Sequence, residues 1–211
     1  GLGDVYRGQG AAVWLHHDVT RVNVAGHKVY ARNLVTGAAK SVRYDKLIVA
    51  TGARHRLPPL AGADQSRVLL CKDMQEAEHI HRSAATAQSI ALIGGGYGGV
   101  ELAESYAQTG PLVPIYESSA QQLRHYLDSA GAGIVLARLA DHGVMVHLND
   151  PVRAFAAVPG QIGVKARSGE ANFDLAVATT GFISATSLVA KQLTCDRHGA
   201  LVCDKYGCTS D

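Results

Sequence analysis

The stretch Ile90-Ala-Leu-Ile-Gly-Gly-Gly-Tyr-Gly-Gly-Val100 constrains this chain more than any other. Four apolar residues run straight into five glycines among residues 94–99. A short apolar run of this kind suits a strand buried on both faces of a parallel sheet, and the glycines end it abruptly. Gly94-x-Gly96-x-x-Gly99 then fits the G-x-G-x-x-G pattern of a strand–turn–helix that holds a dinucleotide. The first glycine permits the tight turn, the second lets the backbone approach a pyrophosphate, and the third lets the helix pack on the strand. The first N–H groups of that helix offer donors and a partial positive charge to phosphates. Gly95 completes the turn. Gly98 is an additional glycine in the first helical turn, and it weakens the helix start by up to about 1 kcal/mol relative to alanine. The alternative is a glycine-rich turn with no ligand.

Glu117 stands 23 residues beyond Gly94, at the end of the next strand-like run. A carboxylate in that position accepts hydrogen bonds from both hydroxyls of an adenosine ribose and repels a 2′-phosphate. Ser118 and Ser119 follow it directly, with no arginine immediately after. On these residues NAD is favoured over NADP.

Around this core the pattern alternates. Residues 1–57 read as short strands, among them Ala11–Leu15, Val19–Val24 and Lys28–Ala31, with Thr36-Gly37 as a turn and Tyr44–Gly52 as a buried strand. Pro58-Pro59 and Gly62 form a stiff connection. Asp73–Ala84 reads as a helix, with Asp73 as N-cap and Glu76 as its capping-box partner. A helix follows the glycines to about Thr109, and Gly110-Pro111 stops it. Leu112–Tyr116 reads as a strand in spite of Pro114. A helix over Asp128–His142 and a strand over Val144–Leu148 come next. Pro151–Glu170 reads as a β-meander that turns at Pro159-Gly160, and Asp174–Thr179 as another buried strand. Strands alternating with helices in the middle, flanked by β-rich pieces, predict an α/β fold.

With 211 residues, 47% of them hydrophobic, and a formal charge of +2, the chain has ample material for a packed core. Scattered basic residues form no patch for nucleic acid. No apolar run reaches membrane-spanning length. The four cysteines lack a paired secretory framework, so a cytoplasmic setting is expected. His16-His17 and His79-x-His81 are poorly spaced for chelation on a strand or a helix, so no metal site is expected. Cys203-x4-Cys208 has the spacing of a redox pair, but spacing alone does not make a thiol reactive.

The order YDKLIVATGA, GGGYGGVELAE, Glu117, Tyr126-Leu127-Asp128, DLAVATTG and GALVCDKYGCTSD resembles the flavin-dependent pyridine nucleotide–disulfide oxidoreductases. Within them it is most similar to the branch of NADH oxidase, NADH peroxidase and coenzyme A-disulfide reductase. The resemblance implies a Rossmann-like NAD-binding domain inserted in a partial FAD-binding domain. Residues 1–57 would belong to the FAD domain, 58–65 to a linker, 66–188 to the NAD domain and 189–211 to the return toward the FAD domain. Cofactors would be NAD(H), with FAD in the intact protein, and partners would be NADH, the remainder of a parent chain and a second copy in a homodimer.

By position, the resemblance places Gly94 to Gly99 on the NAD pyrophosphate and Gly181 near the nicotinamide. Tyr126 would flank the adenine, and Tyr97 would lie over the flavin. Glu101 would pair with a lysine outside this chain. Ala50, Thr51, Gly52 and Ala53 would contact FAD, with Lys72 near the flavin nucleotide. No catalytic residue falls in the chain, because the family's redox cysteine and first FAD glycine motif would precede Gly1. The sequence departs from the family at Gly98, where isoleucine is common, and at Ile183-Ser184-Ala185, where Arg-Pro-Asn is common. Three functions therefore stand: part of an FAD-dependent NADH oxidoreductase acting on oxygen, peroxide or a disulfide; an NAD-binding module without turnover of its own; or a divergent interaction protein with a decayed site.

Overall fold

The computed structural model describes residues 2–56 and 59–211. The expected junction at Leu57 and Pro58 thus lies outside the described residues. Two compact units are present. One is continuous, Arg54–Phe182, and the other is made of two segments, Gly1–Ala53 and Ile183–Asp211. The divisions fall at Ala53/Arg54 and Phe182/Ile183, whereas the sequence suggested 65/66 and 188/189. The residues read as a linker are tied into the continuous unit: Phe155 N–H donates to Ala61 C=O at 2.7 Å, and Leu60 and Ala63 pack on its core.

The continuous unit is built on a five-stranded parallel sheet. Its strands are β5 (Val68–Leu70), β6 (Ile90–Ile93), β7 (Ile115–Tyr116), β8 (Val146–His147) and β12 (Leu175–Ala178), in the order β5-β12-β6-β7-β8. Strand β6 is central, and all four of its residues are buried. Alternation along it sorts the core into two layers. Ile90 and Leu92 pack with Ile80 of α2 (Met74–Ala84), Ala103 of α3 (Tyr97–Ala107) and Leu139 of α4 (Ser129–Asp141). Ala91 and Ile93 pack instead with Phe155, Ile162 and Phe173 of an antiparallel meander, β9 (Val152–Val158), β10 (Gln161–Ala166) and β11 (Glu170–Phe173).

Local signals set the boundaries. The Asp73 side chain accepts from Glu76 N–H at 3.0 Å and starts α2. Asp128 does the same for α4 through Gly131 N–H at 2.8 Å. Pro159-Gly160 turns β9 into β10, with Gly160 at φ +74°. The segment expected as a strand over Leu112–Tyr116 shortens to β7, because Pro114 has no N–H for the ladder. Its carbonyl still accepts from Leu92 N–H at 2.9 Å, so the path beside β6 is kept. Likewise the expected strand over Val144–Leu148 narrows to β8.

The two-segment unit carries an antiparallel sheet of β1 (His17–Asn23), β2 (Lys28–Asn33) and β3 (Ala39–Arg43). Val22, Val24 and Val189 form its small core. The Asn33 carboxamide oxygen accepts from Val35 and Thr36 N–H at 2.9 Å each and shapes the turn that Gly37 closes. Two expectations fail here. The chain opens with a helix, α1 (Leu2–Gly8), where only strands were read, and Ala11–Leu15 is irregular. The apolar run Tyr44–Gly52 forms no strand, and Ile48 is 88% exposed. Among the described residues no strand lies beside it to exchange ladder bonds, and apolar content alone cannot make a strand. The short strand β4 (Ala53–His55) pairs with β13 (Phe182–Ser184).

Asp174 joins three pieces of the continuous unit just before β12. One carboxylate oxygen accepts from Gln88 N–H at 2.8 Å and Ser89 N–H at 3.1 Å, and the other from the Gln161 side chain at 3.2 Å. Those donors, led by Gln88 N–H, hold its carboxyl below the usual aspartate range. Asp174→Ala leaves these donors without their acceptor and should lower stability by about 1–3 kcal/mol, read from urea denaturation.

Candidate functional site

The carboxyl ends of β6, β7 and β12 meet at the glycine turn. Gly94 N–H donates to Tyr116 C=O at 2.8 Å, and Thr179 N–H donates to Ile93 C=O at 2.9 Å. The Thr179 hydroxyl adds a bond to Gly94 C=O at 3.0 Å. Gly94 has φ +113°, and a Cβ there would stand 2.9 Å from Thr179 O. At Gly99 a Cβ would collide with Gly94 O, so α3 can approach the strand only through glycine. By contrast, the space at Gly96 is open, with no atom within 4 Å of a would-be Cβ. The first N–H groups of α3, which begins just after Gly96, have no acceptors within the helix.

Glu117 closes the next side. Its Oε2 accepts from Gly95 N–H at 2.7 Å. Its Oε1 accepts from Ser119 N–H and Ser119 Oγ at 2.6 Å each and from Ser118 Oγ at 3.2 Å. Burial pushes the Glu117 carboxyl up, but the hydrogen bonds from Ser119, Gly95 and Ser118 outweigh it and hold the group below its ordinary value.

These pieces line one cavity of about 570 Å³ within the continuous unit. Gly94, Gly95, Gly96, Tyr97, Gly98, Glu117, Tyr126 and Gly181 all face it. Tyr97 and Tyr126, each about half exposed, pack on one another with ring centroids 4.3 Å apart. Gly181, at φ +95°, accepts from Arg56 N–H at 3.0 Å, and the Thr180 hydroxyl donates to Arg56 C=O at 2.7 Å. Gly99 is buried behind the turn and does not line the cavity. Glu101 and Lys72 are exposed and outside its lining. Ala50 to Ala53 belong to the other unit, where Thr51 Oγ1 donates to Ala185 C=O at 2.6 Å and Ala185 N–H donates to Gly52 C=O at 2.9 Å.

Sequence reasoning missed several walls of the cavity. His55 Nε2 bonds Glu76 Oε2 at 2.6 Å, and the His55 ring lies 5.7 Å from that of Phe182. Cys71 also faces the cavity. Burial, with Glu76, Asp73 and Glu101 nearby, pushes the Cys71 thiol up, which keeps it protonated and a poor nucleophile. Arg124 and His125 lie on the loop after Glu117 and face the cavity as well. Looking seven residues past Glu117, and not only at its immediate neighbours, would have found the arginine. All four cysteines are free thiols. Among the described residues no cluster of three His, Cys, Asp or Glu side chains could hold a metal ion, and no helix is long and apolar enough to cross a membrane.

Two measurements check this geometry. Gly94→Ala should cost about 2 kcal/mol or more, since it adds a Cβ at positive φ against backbone. Gly98→Ala should stabilise by about 0.5–1 kcal/mol, because its Cβ meets the Thr179 side chain at ordinary contact distances of 3.6 and 3.7 Å. Thermal melts of the two variants should therefore move in opposite directions. The lowered carboxyl of Glu117 gives stability that is full above the ordinary value of 4.5 and is lost as pH falls through the folded value. Glu117→Gln should remove that share, so its melting temperature should fall less steeply than the parent's as pH drops below about 5.

The model of the pyridine nucleotide-disulphide oxidoreductase family matches residues 5–211. An NADH oxidase of Enterococcus faecalis is 34% identical over 204 residues, covering 96% of this chain and 46% of that protein. Among solved structures, a water-forming NADH oxidase from Lactobacillus brevis, bound to NADH, is 30% identical with a TM-score of 0.92 over 97% of this chain and 45% of that one. An engineered water-forming NADPH oxidase, bound to NADPH, is 30% identical with a TM-score of 0.93 over 98% and 46%. The chain thus spans about half the length of the relatives it matches. With its motifs, its sheet and this match over nearly all its residues, the chain belongs to the pyridine nucleotide-disulphide oxidoreductase family.

Proposed function

We propose that this chain is the NAD(H)-binding portion of an FAD-dependent NADH oxidoreductase, which passes hydride from NADH to FAD and on to oxygen, peroxide or a disulfide. The observation that carries this reading is the cavity over the glycine turn, with free helix N–H groups at its base and a held carboxylate at its side. When bound, the nicotinamide supplies the hydride and the flavin of the intact protein receives it.

The chain's own residues bind and orient. The open space at Gly96 and the first N–H groups of α3 suit a pyrophosphate. Glu117 Oε2 accepts from Gly95 N–H, which leaves it a lone pair for a ribose hydroxyl. Tyr126 offers an aromatic face for the adenine, and Tyr97 stands beside it over the turn. Gly181 and His55, whose ring is held by Glu76, border the other part of the cavity, suited to the nicotinamide. Ala50, Thr51, Gly52, Ala53 and Lys72 are assigned to FAD on the family resemblance, with Glu101 on the flavin side. We assign no redox-active cysteine to the 211 residues, so the chain alone is expected to bind NADH without turnover.

A thermal-shift titration tests this reading. Saturating NADH should raise the melting temperature by several degrees, since ligand at a hundred times its Kd stabilises by about 2.7 kcal/mol. No shift at millimolar NADH would overturn it. The purified chain should also carry no stoichiometric flavin band in its visible spectrum.

A further inference from the structure

We propose that His55 recognises the carboxamide of the nicotinamide ring, accepting a hydrogen bond from its N–H, so that the cavity selects for that group; this rests on the dinucleotide reading above. The inference starts from the order of the strand ends. Glu117 follows β7, Gly94 to Gly96 follow β6, Thr179 to Gly181 follow β12 and Cys71 follows β5, and all of them line the cavity. This is also their order across the sheet. Neighbouring strands stand about 4.8 Å apart, so the four ends span about 14 Å. With a pyrophosphate at the β6 turn and the adenosine ribose at Glu117, the second nucleoside extends the other way, over the ends of β12 and β5. His55 lines the cavity at that end, next to Arg56, whose N–H bonds Gly181 C=O.

Glu76 sets which nitrogen of the His55 ring carries the hydrogen. The His55 side chain is only 13% exposed, and its Nε2 lies 2.6 Å from Glu76 Oε2. A carboxylate only accepts, so in the neutral ring Nε2 holds the hydrogen and Nδ1 keeps a lone pair. Among the described residues Nδ1 has no partner, and no buried side-chain nitrogen or oxygen lacks one, so Nδ1 is open to solvent and not sealed in the core. A ring that lines a nucleotide cavity and holds out an acceptor fits a ligand N–H. On the nicotinamide ring the carboxamide NH2 is the group that donates.

The pair is held in place by its surroundings. The sequence predicts Glu76 as the reciprocal half of a capping box with Asp73. Among the described residues only one half of that box forms: the Asp73 carboxylate accepts from Glu76 N–H at 3.0 Å, while the Glu76 side chain turns to His55. The helix start keeps its cap and releases the glutamate for another use. On another side, the Phe182 ring lies 5.7 Å from that of His55, tilted by 45°. A ring fixed by a carboxylate and an aromatic neighbour needs little ordering when a ligand arrives.

The test is calorimetric titration of the full chain at about pH 8, above the ordinary histidine range. The ligands are NADH, ADP-ribose, which lacks the nicotinamide, and reduced 3-acetylpyridine adenine dinucleotide, whose methyl ketone keeps the carbonyl but has no N–H. The parent should bind NADH about tenfold tighter than the methyl ketone. His55→Phe should weaken NADH by about tenfold, closing that gap, and leave the methyl ketone and ADP-ribose within about twofold. Glu76→Gln offers an amide that donates as well as accepts, so it no longer fixes the ring hydrogen; it should narrow the gap with ADP-ribose unchanged. Thermal melts check that each variant is folded, and the ligand comparison in the parent decides the matter where one is not. Equal parent affinity for NADH and the methyl ketone, or a loss in His55→Phe that ADP-ribose shares, overturns the role of His55 while leaving the NADH site standing. A folded parent that binds neither NADH nor ADP-ribose overturns the dinucleotide reading and this one with it.

Discussion

Three parallel strands end at one place, and the bonds that join their ends hold the rest of the site in position. Gly94 N–H reaches the end of β7, and Thr179 reaches back from the end of β12 to Ile93 and Gly94 with both its N–H and its hydroxyl. Glu117 then clasps Gly95 from the side. Any side chain at Gly94 or Gly99 would push against backbone, so the convergence is possible only because those positions are bare. The cavity is the space this convergence leaves above the strand ends, where open α/β sheets put their ligands.

The same bonds explain why Glu117 cannot be treated as a simple specificity letter. A carboxylate at the end of the second strand is commonly pictured as reaching outward to a ribose. Here it faces inward as well, receiving four hydrogen bonds from its own neighbourhood. The carboxylate thus braces the glycine turn and the loop that follows it, on both of its oxygens.

What could be read from the sequence was what is decided locally. The glycine motif, the Asp73 cap and the Pro159-Gly160 turn each depend on a few adjacent residues, and each stands where the pattern put it. The α/β class followed from the alternation of period. What stayed hidden depends on distant pairing. Tyr44–Gly52 has a strand's composition but no strand beside it, and Ile48 lies open to solvent. The His55–Glu76 bond joins residues 21 apart in the chain, and nothing local announces it. The bond from Leu123 N–H to Gly95 C=O, which folds the loop after Glu117 back onto the glycine turn, likewise joins residues far apart in the chain.

The continuous unit begins and ends on neighbouring backbone: Arg56 N–H bonds Gly181 C=O, and β4 pairs with β13. A host chain interrupted by such a unit meets only a narrow gap, however many residues the unit contains. Closing that gap asks little of the host's entropy, which is fixed by the separation of the two ends and not by the length between them. A compact body of this kind can therefore be carried as though it were a single tight loop, and altered internally without disturbing the register of the chain on either side.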